Sequence, residues 1–460
     1  EEQPYHSKNA RTDMSLMGKF YILPDDRSTL SFSVNYVNED YSRGIQTDNQ
    51  TNETAYLSAT YERELSDGAN LTASVYSQFM SREVDLGARP DYVKRDHTEY
   101  DDVKKFGQLL QTDFKFADFN TFTVGVDSSY SMMDKHNEYA LVERKAKAEG
   151  NQLLASLFAQ DEMKFRTGAH KILLTPGVRV DFSRSSDGKS SDTAPGPNPP
   201  VDEKFEDRSW VAINPKLGFV YRYNNMTTLR ASAGHSFAAP TLFELYTVFT
   251  RGPMMMFGNP DLDPESAWSA EIGVDQWFMQ NLLGRVTGYF TRGENFIGSR
   301  SISENQSRMD NINEVQMLGA DAELRYDINS MWSLYGGYTF NYSTIIKDEN
   351  SDETEGNHLP FEPLHRARLG LVFQYLKWIA IDLSARYEGE RYVDIENTKE
   401  TKLDGHFSLD LSLTGTIVRY VSWTLSVENM LNKKYEVYSV PTEMSEAPGV
   451  LINGYLTFAI

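Results

Sequence analysis

Hydrophobic positions in this chain recur at every second residue, in blocks of about ten, and not at helical spacing. From His170 onward, Ile172, Leu174, Val178, Val180 and Phe182 share one face, while Thr175, Arg179 and Asp181 share the other. After Pro363, Ala367, Leu369, Leu371 and Phe373 oppose Arg366, Arg368 and Gln374. The next block sets Ile379, Ile381, Leu383 and Tyr387 against Asp382, Ser384, Arg386 and Glu388. A further one sets Phe407, Leu409, Leu411 and Leu413 against Ser408, Asp410 and Ser412. Alternation of this kind predicts strands with one apolar and one polar face. Charges this dense cannot sit in a dry core, so the polar faces need water, or another domain, on their side of the sheet.

Short turn signals punctuate the pattern at 24–27, 66–69, 117–120, 166–168, 224–225, 280–281, 329–330, 377–378 and 418–420. Several carry the Gly, Asn or Asp that tight hairpins prefer. They lie roughly 41 to 58 residues apart, which is room for two long strands and one longer connection. Those connections are polar and rich in Gly and Pro, at 85–102, 134–150, 185–209, 237–265, 295–313, 346–362, 394–403 and 432–448, and are expected outside the cell. The proline-dense stretch 193–201 cannot make a regular element. A propeller would pack four short strands into each unit. A sandwich would need about ten strands and would not make them this long. The pattern therefore predicts an all-β fold, a large antiparallel transmembrane barrel with about 19 strands, long extracellular loops and short periplasmic turns.

Composition narrows the reading further. No run approaches the eighteen or so apolar residues of a membrane helix, which excludes a helical membrane protein and leaves a barrel open. The 26 Tyr, 25 Phe and 6 Trp suit aromatic girdles. A formal net charge of -21 argues against nucleic-acid binding. Cysteine is absent, so there is neither a disulfide framework nor a thiolate site. H-E-x-x-H, G-x-x-x-x-G-K-[ST] and G-x-S-x-G are all missing, and no two of the 8 His stand at metal-ligand spacing, so no enzyme and no cofactor are expected. Glu1 to His6 has no basic region or apolar core and reads as no signal peptide.

One stretch breaks the rhythm. It runs Gly234-His-Ser-Phe-Ala-Ala-Pro240-Thr-Leu-Phe-Glu-Leu-Tyr246, then Gly258-Asn-Pro-Asp-Leu-Asp-Pro-Glu265. It predicts a strand over 228–237, an ordered loop with a helical turn over 242–246, and a return strand over 266–279. The two phrases closely resemble the mid-barrel signature of TonB-dependent outer-membrane receptors, F-R-A-P-T-L-x-E-L-Y followed by G-N-P-x-L-x-P-E, with Ala238 in place of the usual Arg. Asn429-Met-Leu-Asn-Lys-Lys-Tyr435 resembles the same family's N-L-F-D-K-x-Y phrase. Members usually end in Phe or Trp, whereas this chain ends in Ile460 with Phe458 two residues earlier. The resemblance implies a 22-stranded barrel closed around an N-terminal plug. Matching 449–460 to the last strand makes 11–23 the fourth. Residues 1–460 are then the barrel domain without its plug, the TonB-contact segment and about three strands, and the piece alone is not expected to seal a pore. The resemblance also implies a function. Outer loops capture a scarce large solute, and TonB, with ExbB and ExbD, pulls on the plug to admit it across the Gram-negative outer membrane. A ferric siderophore is the first expectation, with haem or cobalamin as alternatives. A passive porin, or a secreted enzyme or adhesin, are the readings from other classes.

Candidate site residues follow from position. Met254, Met255 and Met256, with Tyr246, Arg251 and Phe257, stand in the signature loop, where soft side chains could meet an apolar or haem-like ligand or Cu(I), or could simply pack the loop. No His lies between the two phrases, which weakens the haem reading. Oxygen ligands alternate from Asp348 to Glu355 as at the start of a calcium loop, but Glu353 stands where the Gly belongs, and a solvated acidic loop is preferred. Arg230, Arg285, Arg366, Arg368 and Arg386 are expected to point inward. The resemblance implies that they face the plug or an anionic ferric chelate there; otherwise they would balance Asp382, Glu388 and Asp410 across the wet lumen. The remaining expected partners are membrane lipid and lipopolysaccharide.

Overall fold

The structure is a computed structural model that describes residues 11–42, 47–88, 94–193, 201–251, 254–303, 306–376, 379–440, 443–447 and 449–458. Its main sheet holds 22 strands; three are short loop strands (Val201–Lys204, Val248–Arg251 and Met254–Phe257), which leaves nineteen in the wall. The first ten are β1 (Arg11–Asp25), β2 (Ser28–Ser42), β3 (Asn49–Ser66), β4 (Ala69–Gly87), β5 (Arg95–Ala117), β6 (Asn120–Tyr139), β7 (Lys145–Thr167), β8 (His170–Asp192), β9 (Arg208–Arg222) and β10 (Thr227–Ala238). The rest are β11 (Glu265–Met279), β12 (Leu282–Ser303), β13 (Gln306–Asp327), β14 (Trp332–Lys347), β15 (His365–Leu376), β16 (Ile379–Glu388), β17 (His406–Val418), β18 (Val421–Glu428) and β19 (Leu451–Phe458).

Each wall strand pairs antiparallel with its neighbours in the chain, and β1 and β19 are the two edges of the sheet among the described residues. The register holds the expected faces together. Leu371 lies opposite Leu383, which lies opposite Leu411, while Ser384 lies between Gly370 and Asp410. The apolar face is bare: Val211, Ile213, Ile272 and Leu369 are all more than half exposed. In water such a belt would be an aggregation surface, and in a bilayer it is the outer wall of a barrel. Among the described residues no helix is long and apolar enough to cross a membrane.

Tight turns close one end. At two of them an asparagine does the work: Asn224 Oδ1 accepts the N–H groups of Met226 and Thr227, and Asn329 Oδ1 those of Met331 and Trp332. The other end departs from expectation. Much of what reads as polar loop at 85–102, 134–150, 185–209 and 295–313 is ladder, because β4 to β8 and the β12–β13 hairpin run on past the apolar belt. Beyond the membrane both faces of a strand meet water. The alternation fades there while the backbone hydrogen bonds continue. Of the stretch 193–201, residues 194–200 lie outside the described residues.

Candidate functional site at the barrel mouth

Between β10 and β11 the chain folds back against the loop-end parts of β6 and β7, and its sequence explains its shape. Thr241 caps the short helix α1 (Leu242–Tyr246). Its Oγ1 accepts the Glu244 N–H at 3.2 Å, and Glu244 Oε2 accepts the Thr241 N–H at 2.7 Å. This is a capping box, so the Pro-Thr-x-x-Glu phrase fixes where the helix starts. The second phrase returns under it. The N–H of Gly258 donates to Thr247 O and that of Asn259 to Glu244 O, at 2.6 and 2.8 Å. A Cβ on Gly258 would sit 2.9 Å from the Glu244 and Leu245 carbonyl oxygens, so only glycine fits that crossing. Leu242, Leu245, Tyr246 and the wholly buried Leu262 then make a core with Met133 and Ala148 of the wall.

Two anchors hold this strap. Arg208 at the start of β9 donates to Pro260 O, Leu262 O and Asp263 Oδ1, at 3.3, 3.0 and 2.9 Å. Asn311 of β13 exchanges two hydrogen bonds with the Asp263 backbone, at 2.9 and 3.0 Å. The extended tip of β12–β13 is a wall with two faces. Ile297, Met309 and Asn311 meet the strap, whereas Phe296 and Ile312 meet a second core with Val315, Ile345, Leu359 and Ile395. That second core is built from the loops after β14 and β16. They are tied through Asn397, whose Oδ1 accepts the His358 N–H at 2.7 Å and whose Nδ2 donates to His358 O at 2.9 Å.

The expected ligand-facing residues do not gather on one surface. Tyr246 is 3% exposed; its ring stacks on Phe205 at 5.4 Å and fills the space over Gly150 and Gly188. Met255, Met256 and Phe257 lie half-buried on Met254–Phe257, which pairs with Val248–Arg251 and runs parallel to the first residues of β13. Consecutive strand residues point to opposite faces, so Met255 and Met256 do not face one ion together. The side chains of Arg251 and Met254 lie outside the described residues.

The acidic loop is organised around an arginine. Asp348 is wholly buried and takes both carboxylate bonds from Arg300 Nη2 at 2.7 Å, with Thr354 Oγ1 at 2.6 Å and the Asn350 N–H at 3.1 Å. Burial pushes its pKa up, but the bonds from Arg300, Thr354 and Asn350 prevail and hold it below the usual carboxylate range. Its lone pairs are thus taken, and among the described residues no group of His, Asp or Glu is placed to hold a metal ion.

The five arginines expected to face the lumen do lie on the polar face of the wall, and carboxylates answer most of them. Arg230 donates to Asp275 at 2.8 Å, and Arg285 lies 3.7 Å from Asp275 and 3.6 Å from Glu323. Arg386 pairs with Asp410 at 2.7 Å, and Arg366 lies 3.7 Å from Glu362 and 3.9 Å from Glu388. Arg368 lies over the Tyr335 ring, whose hydroxyl donates to Asp382 at 3.0 Å. Arg366, Arg368 and Arg386 share one recess of about 450 Å³ with Arg391, His406 and Tyr435, whereas Arg230 and Arg285 stand apart on β10 and β12. Arg391 and His406 were not singled out from sequence, because both sit at strand or loop ends where alternation gives no face. Arg179 of β8 was read as polar-facing but not as a hub. It grips Asp127 with two bonds at 2.6 and 2.9 Å and Asp181 with one at 2.7 Å.

An apolar outer belt, a wet and charge-balanced inner wall and a strapped mouth define an outer-membrane β-barrel of the receptor type. The family described as "TonB dependent receptor-like, beta-barrel" matches residues 5–430, and the chain belongs to it. Among curated proteins it is 25% identical over 187 residues to the probable TonB-dependent siderophore receptor PiuA of Acinetobacter baumannii, covering 38% of this chain and 24% of that protein. It is 25% identical over 240 residues to the vitamin B12 transporter BtuB of Vibrio cholerae, covering 51% of this chain and 35% of that one. The catecholate siderophore receptor Fiu of Escherichia coli is 20% identical over 385 residues, covering 81% of this chain and 47% of Fiu. The chain thus spans from about a quarter to about half of the length of these relatives. In fold it is similar to the copper transporter OprC, with a TM-score of 0.79 at 15% identity over 98% of this chain and 72% of that one. The Acinetobacter baumannii PiuA structure gives 0.75 at 16% identity over 99% and 76%.

Proposed function

We propose that this barrel is the wall and mouth of a receptor that captures a large, scarce solute, first of all a ferric siderophore, and admits it with TonB-supplied energy. The observation that carries the reading is the strap. A barrel for passive diffusion needs no such structure at its loop end, whereas here two signature phrases build a capped helix, a dedicated core and two side-chain anchors against the wall. The named relatives support the solute class, since PiuA and Fiu are siderophore receptors by name. BtuB keeps cobalamin as the alternative. Arg366, Arg368 and Arg386 share a lumen recess with Asp321, Glu323 and Glu388, so an anionic chelate there would compete with carboxylates already in place.

The test is uptake by cells that carry the full-length gene, with and without TonB, of labelled ferric siderophores, haem and cobalamin. Uptake of one compound that disappears without TonB supports the reading and identifies the solute. Leakage of small solutes regardless of TonB would instead make the protein a porin.

A further inference from the structure

The loop-end part of β5 and β6 buries a set of charges that hold neither the ladder nor the strap's core together. His97, Glu99 and Lys135 are 2%, 1% and 3% exposed. Register puts Tyr139 opposite His97, Asn137 opposite Glu99 and Lys135 opposite Asp101, so these side chains share one face. It is the face that meets the strap, because Lys135 Nζ stands over the Phe243 ring at 5.3 Å. The other face of β5 at this level carries Thr98, Tyr100 and Asp102, and apolar residues resume only at Phe106, so the set lies beyond the membrane belt.

The imidazole of His97 is held between two carboxylates. Nδ1 lies 2.8 Å from Asp96 Oδ2 and Nε2 3.5 Å from Glu99 Oε1, while Tyr139 stacks on the ring at 4.8 Å. Neither Nε2 nor Oε1 has another hydrogen-bond partner among the described residues. An ionised carboxylate only accepts, so both ring nitrogens must carry protons for both contacts to attract. Glu99 Oε2 lies 3.6 Å from Arg82 and 3.9 Å from Lys135, but both cations stand closer to Asp101, at 2.7 and 3.1 Å. The other charges around the ring are answered elsewhere. Arg95 pairs with Asp85 at 3.1 Å, and Arg144, over the Tyr139 ring, donates to Asp192 at 2.9 Å. Asp48, from the connection after β2, accepts the Gly87 N–H at 2.7 Å.

We infer that His97 is a proton-operated latch that joins the loop-end wall to the strap. With the ring protonated, Arg82, His97 and Lys135 answer Asp96, Glu99 and Asp101, and Lys135 is left over Phe243. When the ring loses its proton, a carboxylate that water cannot reach is short of one cation. Lys135 then turns toward Glu99 and off the Phe243 ring, and the strap loses that contact. Burial pushes the His97 pKa down, but the bonds to Glu99 and Asp96 prevail and hold it above the usual histidine range. A folded pKa above the unfolded value of about 6.5 gives a contribution that is complete below that value and drains away as pH rises through the folded one. The strap is thus held tightest on the acid side, whichever solute is carried.

Hydrogen exchange of the full-length receptor from pH 5.5 to pH 9, with each rate divided by the intrinsic rate of that amide, tests the latch. The reporters are the N–H of Ala140, bonded to Asp96 O at 2.8 Å, and that of Leu245 in α1, bonded to Thr241 O at 3.0 Å. The N–H of Lys164, bonded to Phe119 O at the turn end, is the control. Protection at Ala140 and Leu245 should fall by roughly fivefold or more across the range while Lys164 stays level. His97→Gln, which has no proton to lose, should flatten both profiles. Lys135→Met should flatten the Leu245 profile and leave that of Ala140 sloping. Should His97→Gln fail to assemble, Glu99→Gln takes its place, and the midpoint should move to lower pH because one carboxylate no longer holds the proton. Level profiles in the wild type, an unchanged slope in His97→Gln or an unmoved midpoint in Glu99→Gln would overturn the latch. A Leu245 profile that still slopes in Lys135→Met would overturn its link to the strap.

Discussion

Replacing Tyr246 with alanine should release the strap while leaving the wall intact. The side chain is 3% exposed, lies over Gly150 and Gly188, and stacks on Phe205 with the rings 8° from parallel. Truncating a buried aromatic of this kind costs about 3–5 kcal/mol, and here the cost falls on the local core and not on the barrel's hydrogen-bond ladder. At about 1.36 kcal/mol per tenfold, strap opening should become between about a hundredfold and a few thousandfold more frequent. Amide hydrogen exchange in the full-length receptor reads this directly. The reporting groups are the N–H groups of Leu245, Thr247, Gly258 and Asn259, bonded at 3.0, 3.1, 2.6 and 2.8 Å to acceptors within the strap. Amides of β7 and β8 should keep their protection. A partner experiment makes the reasoning stricter. Gly150→Ala would place a Cβ 2.7 Å from the Tyr246 ring and should cost about 1–3 kcal/mol alone, yet almost nothing once Tyr246 is alanine. Strap exchange within threefold of wild type, or the same Gly150→Ala penalty in both backgrounds, would refute this account.

Other expectations are smaller in scope. Thr241→Ala removes one half of the capping box and should cost α1 about 1 kcal/mol, seen as roughly fivefold faster exchange at Leu245. Asp348→Asn leaves Arg300 with Asp310 alone, so the loop after β14 should lose up to about 3 kcal/mol and become readily cut by protease. The same loop should loosen in acid: Asp348 has a lowered folded pKa, so its contribution is complete above the unfolded value of about 3.9 and drains away as pH falls through the folded one. Protease susceptibility between pH 5 and pH 2.5 checks that sign. Arg386→Met breaks a pair whose arginine side chain is 52% exposed, so thermal unfolding of the barrel should reveal a cost of under about 1 kcal/mol.

How much of this was legible in the sequence depends on which side of the membrane boundary a residue lies. Within the belt, one face meets lipid and the other water, and the residues record that difference. The faces of Ile172 to Phe182 and of Ala367 to Phe373 were therefore readable, as was the count of nineteen strands. Beyond the belt both faces meet water, and the ladder from Lys145 to Gly150 or from Ile297 to Ser303 looks like polar loop. The strap's helix was readable because capping chemistry is local: Thr241 and Glu244 are three residues apart. Its anchors were not, since Arg208 meets Leu262 and Asn311 meets Asp263 across about fifty positions with no periodicity to link them. The acidic run at Asp348 shows the same limit. Its oxygen spacing was visible, but the arginine that occupies it comes from another hairpin.

The pairing inside the wall bears on where the proposed receptor would select its solute. Arg230 and Arg386 each have a carboxylate within 4 Å, and Arg179, Arg285 and Arg366 each have two. These pairs are half-exposed to lumen water, so they add little to stability, and the ladder holds the barrel without them. Their effect is on the field. A lumen lined by unanswered arginines would hold any anionic solute fast, while balanced pairs make an anion compete with a carboxylate already in place. In a receptor of the proposed kind, a surface like this would let a charged solute pass without trapping it. Retention would then fall to the loop ends, where the strap and the second core grip the two faces of one hairpin and fix a rim of definite shape.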